Sequence, residues 1–192
     1  SLNSLDALAQ CACAGTDFGT INVAGWTVGQ SANITTCQYG GERATIQNTV
    51  AGAVYRISTC GAGYDTQLSI YTTGCVFVTG GYNDDNGPAC GGTAASVQFT
   101  SPGGNLYSKM NQYNCVTNST CTTVSITLIS CPSPTLGSVS NAGPINFCDA
   151  SGNFTTPVTV SGQNGSVVWD WGSNNGVWNL NWIASNSSGV CC

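Results

Sequence analysis

The side chains of this chain best suited to chemistry are oxygen donors: Asp65, and further along the run Tyr82-Asn-Asp-Asp-Asn86. Asp65, Asn83, Asp84 and Asp85 are hard ligands of the kind Ca²⁺ prefers, and extracellular modules need only ~0.1–1 mM affinity for that ion. The same residue types also cap turns by bonding their own backbone, so a cation site and a plain turn are both open readings. Acid–base chemistry is poorly provided for. The chain contains no His, Lys109 is its single lysine and Glu42 its single glutamate. Ser-His and Cys-His arrangements are therefore excluded, and Schiff-base or Ser-Lys chemistry would hang on one residue. Asp84 and Asp85 are adjacent and point to opposite sides of an extended chain, which is not how the paired carboxylates of a glycosidase face a bond. The expectation is a protein that is not an enzyme, requires no cofactor, and has calcium as the one ion its residues suit.

A second group is aromatic. Trp169, Trp171, Trp178 and Trp182 alternate along two neighbouring segments. Trp178 and Trp182 could form a platform on which sugar rings stack, or the whole stripe could fill the core of a small sandwich. Nucleic acid is excluded as a partner: three basic residues and a net charge of -5 cannot neutralise a run of phosphates. No apolar run approaches the ~18 residues of a membrane span, so insertion is not expected.

Twelve cysteines without a histidine argue for disulfides rather than zinc. Tight Cys spacings of the kind zinc sites use are confined to Cys11-Ala-Cys13 and the terminal Cys191-Cys192. Disulfides in this number imply an oxidising compartment, hence a secreted or cell-surface protein. The pairings expected from proximity are Cys75 with Cys90, around the acidic loop, and Cys115 with Cys121.

The elements that position these groups read as strands. Between Cys60 and Cys90, Leu68 and Ile70 fall on one face and Ser69 and Tyr71 on the other. A turn at Thr73 and Gly74 leads into Val76–Val78, giving a hairpin whose far end carries the acidic loop. Two-residue alternation recurs at Ile21 and Val23, Ala32 and Ile34, Ala44 and Ile46, Tyr55 and Ile57, Val97 and Phe99, Leu106 to Met110, and Val124 to Leu128. Eight or nine short strands of this kind predict an all-β, disulfide-stapled sandwich of jelly-roll type over residues 15–130, after a linker or extension at 1–14. Cys131-Pro-Ser-Pro opens a second unit over 131–192, because closely spaced prolines stop a strand and stiffen a connector. Its few strands predict a partial Ig-like or sandwich unit that is truncated or completed by another chain. Lys and Glu, which usually guard sheet edges, are almost missing, so pairing with neighbouring repeats or with copies of itself is not blocked.

Several segments carry a family resemblance: Gly29-Gln-Ser-Ala-Asn-Ile-Thr-Thr-Cys37, Tyr39-Gly-Gly-Glu-Arg-Ala-Thr-Ile46, Val50-Ala-Gly-Ala-Val-Tyr-Arg-Ile-Ser-Thr-Cys60, Tyr64-Asp-Thr-Gln-Leu-Ser-Ile-Tyr71, Tyr82-Asn-Asp-Asp85 and Asn114 to Cys121. Together they resemble the β-sandwich modules repeated in giant surface proteins of Bacteroidetes, with a pattern shared by prepeptidase C-terminal and CUB-like domains. The resemblance implies a non-catalytic module, exported by the type IX route, that serves as an adhesive or structural repeat, or as a carbohydrate-binding appendage of a multidomain enzyme. Surface glycans would be partners in the second case. Calcium-binding CUB domains use a Glu with paired Asp residues; Asp65 and Asp85 match in position, and no glutamate accompanies them.

Overall fold

The computed structural model describes residues 10–132 throughout, and beyond them the backbone of 138–139, 160–161, 166–174 and 177–185. The chain divides into two compact units, with the change falling between Pro132 and Ser133. In the first unit the strands are β1 (Asp17–Asn22), β2 (Ser31–Gly40), β3 (Arg43–Thr49), β4 (Val54–Ser58), β5 (Thr66–Thr72), β6 (Phe77–Asn83), β7 (Ser96–Thr100), β8 (Gly104–Gln112) and β9 (Asn118–Ser130). They form a five-stranded sheet of order β1-β3-β8-β5-β6 and a four-stranded sheet of order β2-β9-β4-β7. From β2 to β9 this is the double-sheet jelly roll of eight strands, in which consecutive strands repeatedly change sheet. β1 is added outside that pattern, parallel to β3.

The alternation that predicts the strands also builds the core. Ala44, Ile46, Leu68, Ile70, Val78, Leu106 and Met110 line the inner face of the larger sheet, and Ile34, Tyr55, Ile57, Val97, Phe99, Val124, Ile126 and Leu128 that of the smaller. Tyr55 is fully buried, and its hydroxyl accepts the Val50 N–H at 3.2 Å, so the phenol meets the polar requirement that burial imposes.

β5 departs from simple alternation. Every residue from Thr66 to Tyr71 is buried, the polar face as well as the apolar one. The cause is the segment around Cys11 and Cys13, which packs on the outer face. The Tyr71 hydroxyl donates to the Cys11 carbonyl, and Arg43 Nη1 donates to the Cys13 carbonyl at 3.3 Å. Cys11 and Cys13 are themselves buried, so the sandwich begins upstream of Gly15; residues 1–9, the rest of the expected extension, lie outside the described residues.

Among the described residues, disulfides link Cys11 with Cys115, Cys13 with Cys75, Cys37 with Cys121, and Cys60 with Cys90. Neither locally expected pair forms. Cys75 sits at the turn that joins β5 to β6, while Cys90 lies beyond the opposite end of that hairpin, ~20 Å of strand away. Cys121 is carried off from Cys115 by the extended start of β9 and lands beside β2, next to the Gln38↔Thr122 pair. Each of these four cysteines is bonded to a partner far away in the sequence instead. Cross-links in this number belong to an oxidising environment. Among the described residues no helix is long and apolar enough to cross a membrane.

In the second unit β10 (Ser138–Val139) pairs with β11 (Val160–Ser161), and β12 (Ser166–Asn174) pairs antiparallel with β13 (Val177–Ser185). The last pair carries Trp169 and Trp171 on one strand and Trp178 and Trp182 on the other, its register closing on Asn174↔Val177.

Candidate metal centre

The hairpin β5–β6 gathers the acidic residues. Asp65 precedes β5 and Asp84 and Asp85 follow β6, so antiparallel pairing through Leu68↔Asn83 returns all three to one end of the sheet. One carboxylate oxygen from each lies within 4.8 Å of the others. A two-glycine bulge fits β6 to its neighbour. Gly80 has φ +73°, and Gly81 packs so close to Ile70 that a Cβ there would lie 2.9 Å from the Ile70 Cβ.

The loop after β6 is braced on several sides. Asn83 Oδ1 accepts the Ser96 N–H at 3.0 Å, and its Nδ2 donates to the Asp85 carbonyl at 3.1 Å. Asn86 and Gly92 bond each other twice, N–H to carbonyl at 3.0 Å and N–H to side chain at 3.1 Å. Gly87 nests against Ser96, where a Cβ would run into the Ser96 carbonyl and hydroxyl and into Asn83 Oδ1. The Cys60–Cys90 disulfide ties this loop to the segment that leads into Asp65. On the other flank Tyr113 N–H donates to the Asp65 carbonyl at 3.1 Å, from a short 3-10 turn over Tyr113–Cys115 in which Asn114 takes a left-handed conformation.

The electrostatics are one-sided. Burial pushes the Asp65 carboxyl above its ordinary range and the charge of Asp85 adds to the push. Burial also raises Asp84, the Gln67 amide pulls it back, and Asp65 and Asp85 raise it again. Oδ1 of Asp65 and Oδ1 of Asp84 are buried without a hydrogen-bond partner. Among the described residues the one ion pair is Arg43–Asp17 at 2.5 Å, so no cationic side chain answers the three carboxylates. An all-oxygen set, half-buried at Asp65 and Asp84 and exposed at Asp85, with two orphaned oxygens, fits a hard divalent cation, with the three carboxylates as ligands and the loop as a source of carbonyls.

Of the residues singled out in the sequence, Asp65, Asp84 and Asp85 converge. Asn83 lies beside them with its amide engaged in holding the loop. Trp178 and Trp182 stand in β13, opposite Ser173 and Trp169 of β12. Sequence reasoning missed Gln67, whose side chain hydrogen-bonds Asp84, and Gly87, which seats the loop against Ser96. Elsewhere, a shallow groove of about 430 Å³ at the turn end of the hairpin is lined by Thr72, Val76, Phe77, Val78, Thr100 and Pro102, among others, and holds no titratable side chain.

Fold and site together define a disulfide-stapled, all-β jelly-roll sandwich with a carboxylate cluster at one end. Compared with known protein families, curated proteins and solved structures, the chain matches none.

Proposed function

We propose that this chain is a non-catalytic structural and adhesive module of a secreted surface protein or extracellular fibre, with a Ca²⁺ ion held by Asp65, Asp84 and Asp85. The observation that carries the reading is the unanswered carboxylate cluster on a covalently fixed hairpin: a rigid support with a place for a cation and no reacting group near it. Neighbouring repeats or further copies of the chain are its partners, in keeping with sheet edges that bear almost no lysine or glutamate.

Two measurements test this. Calcium titrated into the metal-free chain by calorimetry is expected to bind at ~0.1–1 mM and to lose that binding in Asp65→Asn with Asp84→Asn. A melting temperature identical in EDTA and in millimolar calcium would remove the ion. Electron microscopy of the full chain in calcium is expected to show ordered polymers or end-to-end contacts. Isolated particles that bind glycans, with binding lost in a folded Trp178→Ala variant, would make the chain a carbohydrate-binding module instead.

A further inference from the structure

We propose that the sandwich is a tension-bearing link: a pull entering next to Cys11 passes through the Cys11–Cys115 disulfide into β9 and leaves at Pro132, so the domain keeps its length under load. The inference rests on the structural role proposed above, which supplies the load.

The line of force follows from connectivity. Cys11 stands at the start of the sandwich, and its bond to Cys115 closes a loop of sequence separation 104. Strands β1 to β8 all lie inside that loop and hang off the line rather than in it. Past Cys115 the chain enters β9, Asn118–Ser130, which runs nearly to Pro132. An antiparallel strand already rises ~3.4 Å per residue, close to the limit of a stretched chain, so it has little length left to give. β9 is also held on both sides, paired with β2 and with β4. Tension applied to both ends of one extended strand runs along its axis and does not peel its ladders apart. At the entry point Cys115 is seated by its N–H, which donates to Gln67 Oε1 at 3.0 Å.

The remaining disulfides form a graded reserve. Between Gln10 and Pro132 the shortest covalent route through Cys11–Cys115 contains about 18 residues, roughly 60 Å of contour. With that bond gone the next route runs through Cys37–Cys121, about 38 residues or roughly 130 Å. After it comes Cys13–Cys75, about 60 residues or roughly 210 Å, then Cys60–Cys90, about 92 residues or roughly 320 Å, and the fully reduced segment offers about 120 residues, roughly 430 Å. Each reserve takes the load only when the one before it has failed.

The experiment is force spectroscopy on the full oxidised chain, with DNA handles clicked to Gln10→azidophenylalanine and Pro132→azidophenylalanine, which leaves every cysteine untouched. Without reductant the distance between handles is expected to grow by less than ~60 Å, even at forces that unfold ordinary sandwiches. Under a constant force sufficient for unfolding, dithiothreitol supplies the two electrons that each S–S cleavage consumes. Lengthening is then expected in order: a step of ~70 Å, one of ~75 Å, and two of ~110 Å. A Cys11→Ser, Cys115→Ser chain, provided it folds, should begin at the second rung. Growth beyond ~60 Å before any reduction, or a first step far from ~70 Å, would overturn the proposal. A chain that holds its length yet forms no polymers keeps the lock and loses the fibre role; a chain that polymerises yet lengthens freely loses the lock alone.

Discussion

At the scale of single residues, the carboxylates at the open end of the hairpin weaken the fold that presents them. Asp65 and Asp84 titrate above the ordinary value of 3.8 in the folded chain, so folding holds protons that the unfolded chain has already released. Their contribution to stability is therefore full below 3.8 and is lost as pH rises through the folded-state values. In EDTA, wild type is expected to lose melting temperature relative to Asp84→Asn over that range, and millimolar calcium should restore wild type but not the variant. Parallel pH profiles of the two proteins would dispose of the argument. Lys109 presents the opposite sign. Burial lowers its amine, Arg43 lowers it further, and Glu42 opposes both, while the ammonium donates to the Gly41 carbonyl. Replacing an unpaired buried cation by an apolar residue of similar length is often stabilising. Lys109→Met is expected to gain about 1 kcal/mol at pH 7 in urea unfolding. That advantage should shrink as pH climbs toward 10.5, because the wild-type amine then sheds its proton in the folded state first. A loss of stability would show that the carbonyl bond outweighs the desolvation.

At the scale of elements, the hairpin is the part most open to reading in advance and also the part most altered by its surroundings. Leu68 and Ile70 announce a strand with one apolar face, and that face is buried as the alternation requires. The burial of Ser69 and Gln67 on the other face has no local signal. It depends on a Cys-Ala-Cys segment with no periodicity, held by bonds of sequence separation 104 and 62. The convergence of Asp65 with Asp84 and Asp85 could be read because hairpin closure brings the two ends of one stretch together. The work of Asn83 as a brace could not, because it depends on Ser96 in β7. Gly87 carries the corresponding prediction. Gly87→Ala would force a methyl into the Ser96 carbonyl, so it is expected to cost about 2–3 kcal/mol and to weaken calcium binding more than tenfold. Stability lost with calcium affinity intact would mean that the loop relaxes without moving the carboxylates.

At the scale of the whole molecule, sulfur does what charge does not. Cys11–Cys115 closes a loop of sequence separation 104, for which the chain-entropy model gives a stabilisation of about 4–5 kcal/mol. Cys11→Ser with Cys115→Ser is expected to lower unfolding free energy in urea by about 4 kcal/mol, and a change below ~1 kcal/mol would show that the reduced chain keeps the loop closed by other contacts. The jelly roll was legible because eight segments keep a period of two. The pairing of its cysteines was not, because strand order brings together residues far apart in the chain, and Cys75 and Cys90 are carried to opposite ends of the hairpin.

Those cross-links also bear on how the chain would be broken down. The three bonds open to a trypsin-like enzyme follow Arg43 in β3, Arg56 in β4 and Lys109 in β8, each inside a paired strand. Such an enzyme needs its target drawn out of the sheet, so digestion must wait for the fold to open. Even a completed cut after any of the three leaves fragments joined through Cys11–Cys115 and Cys37–Cys121 or Cys13–Cys75. Nicked molecules would migrate as one body until a reducing agent separates the pieces.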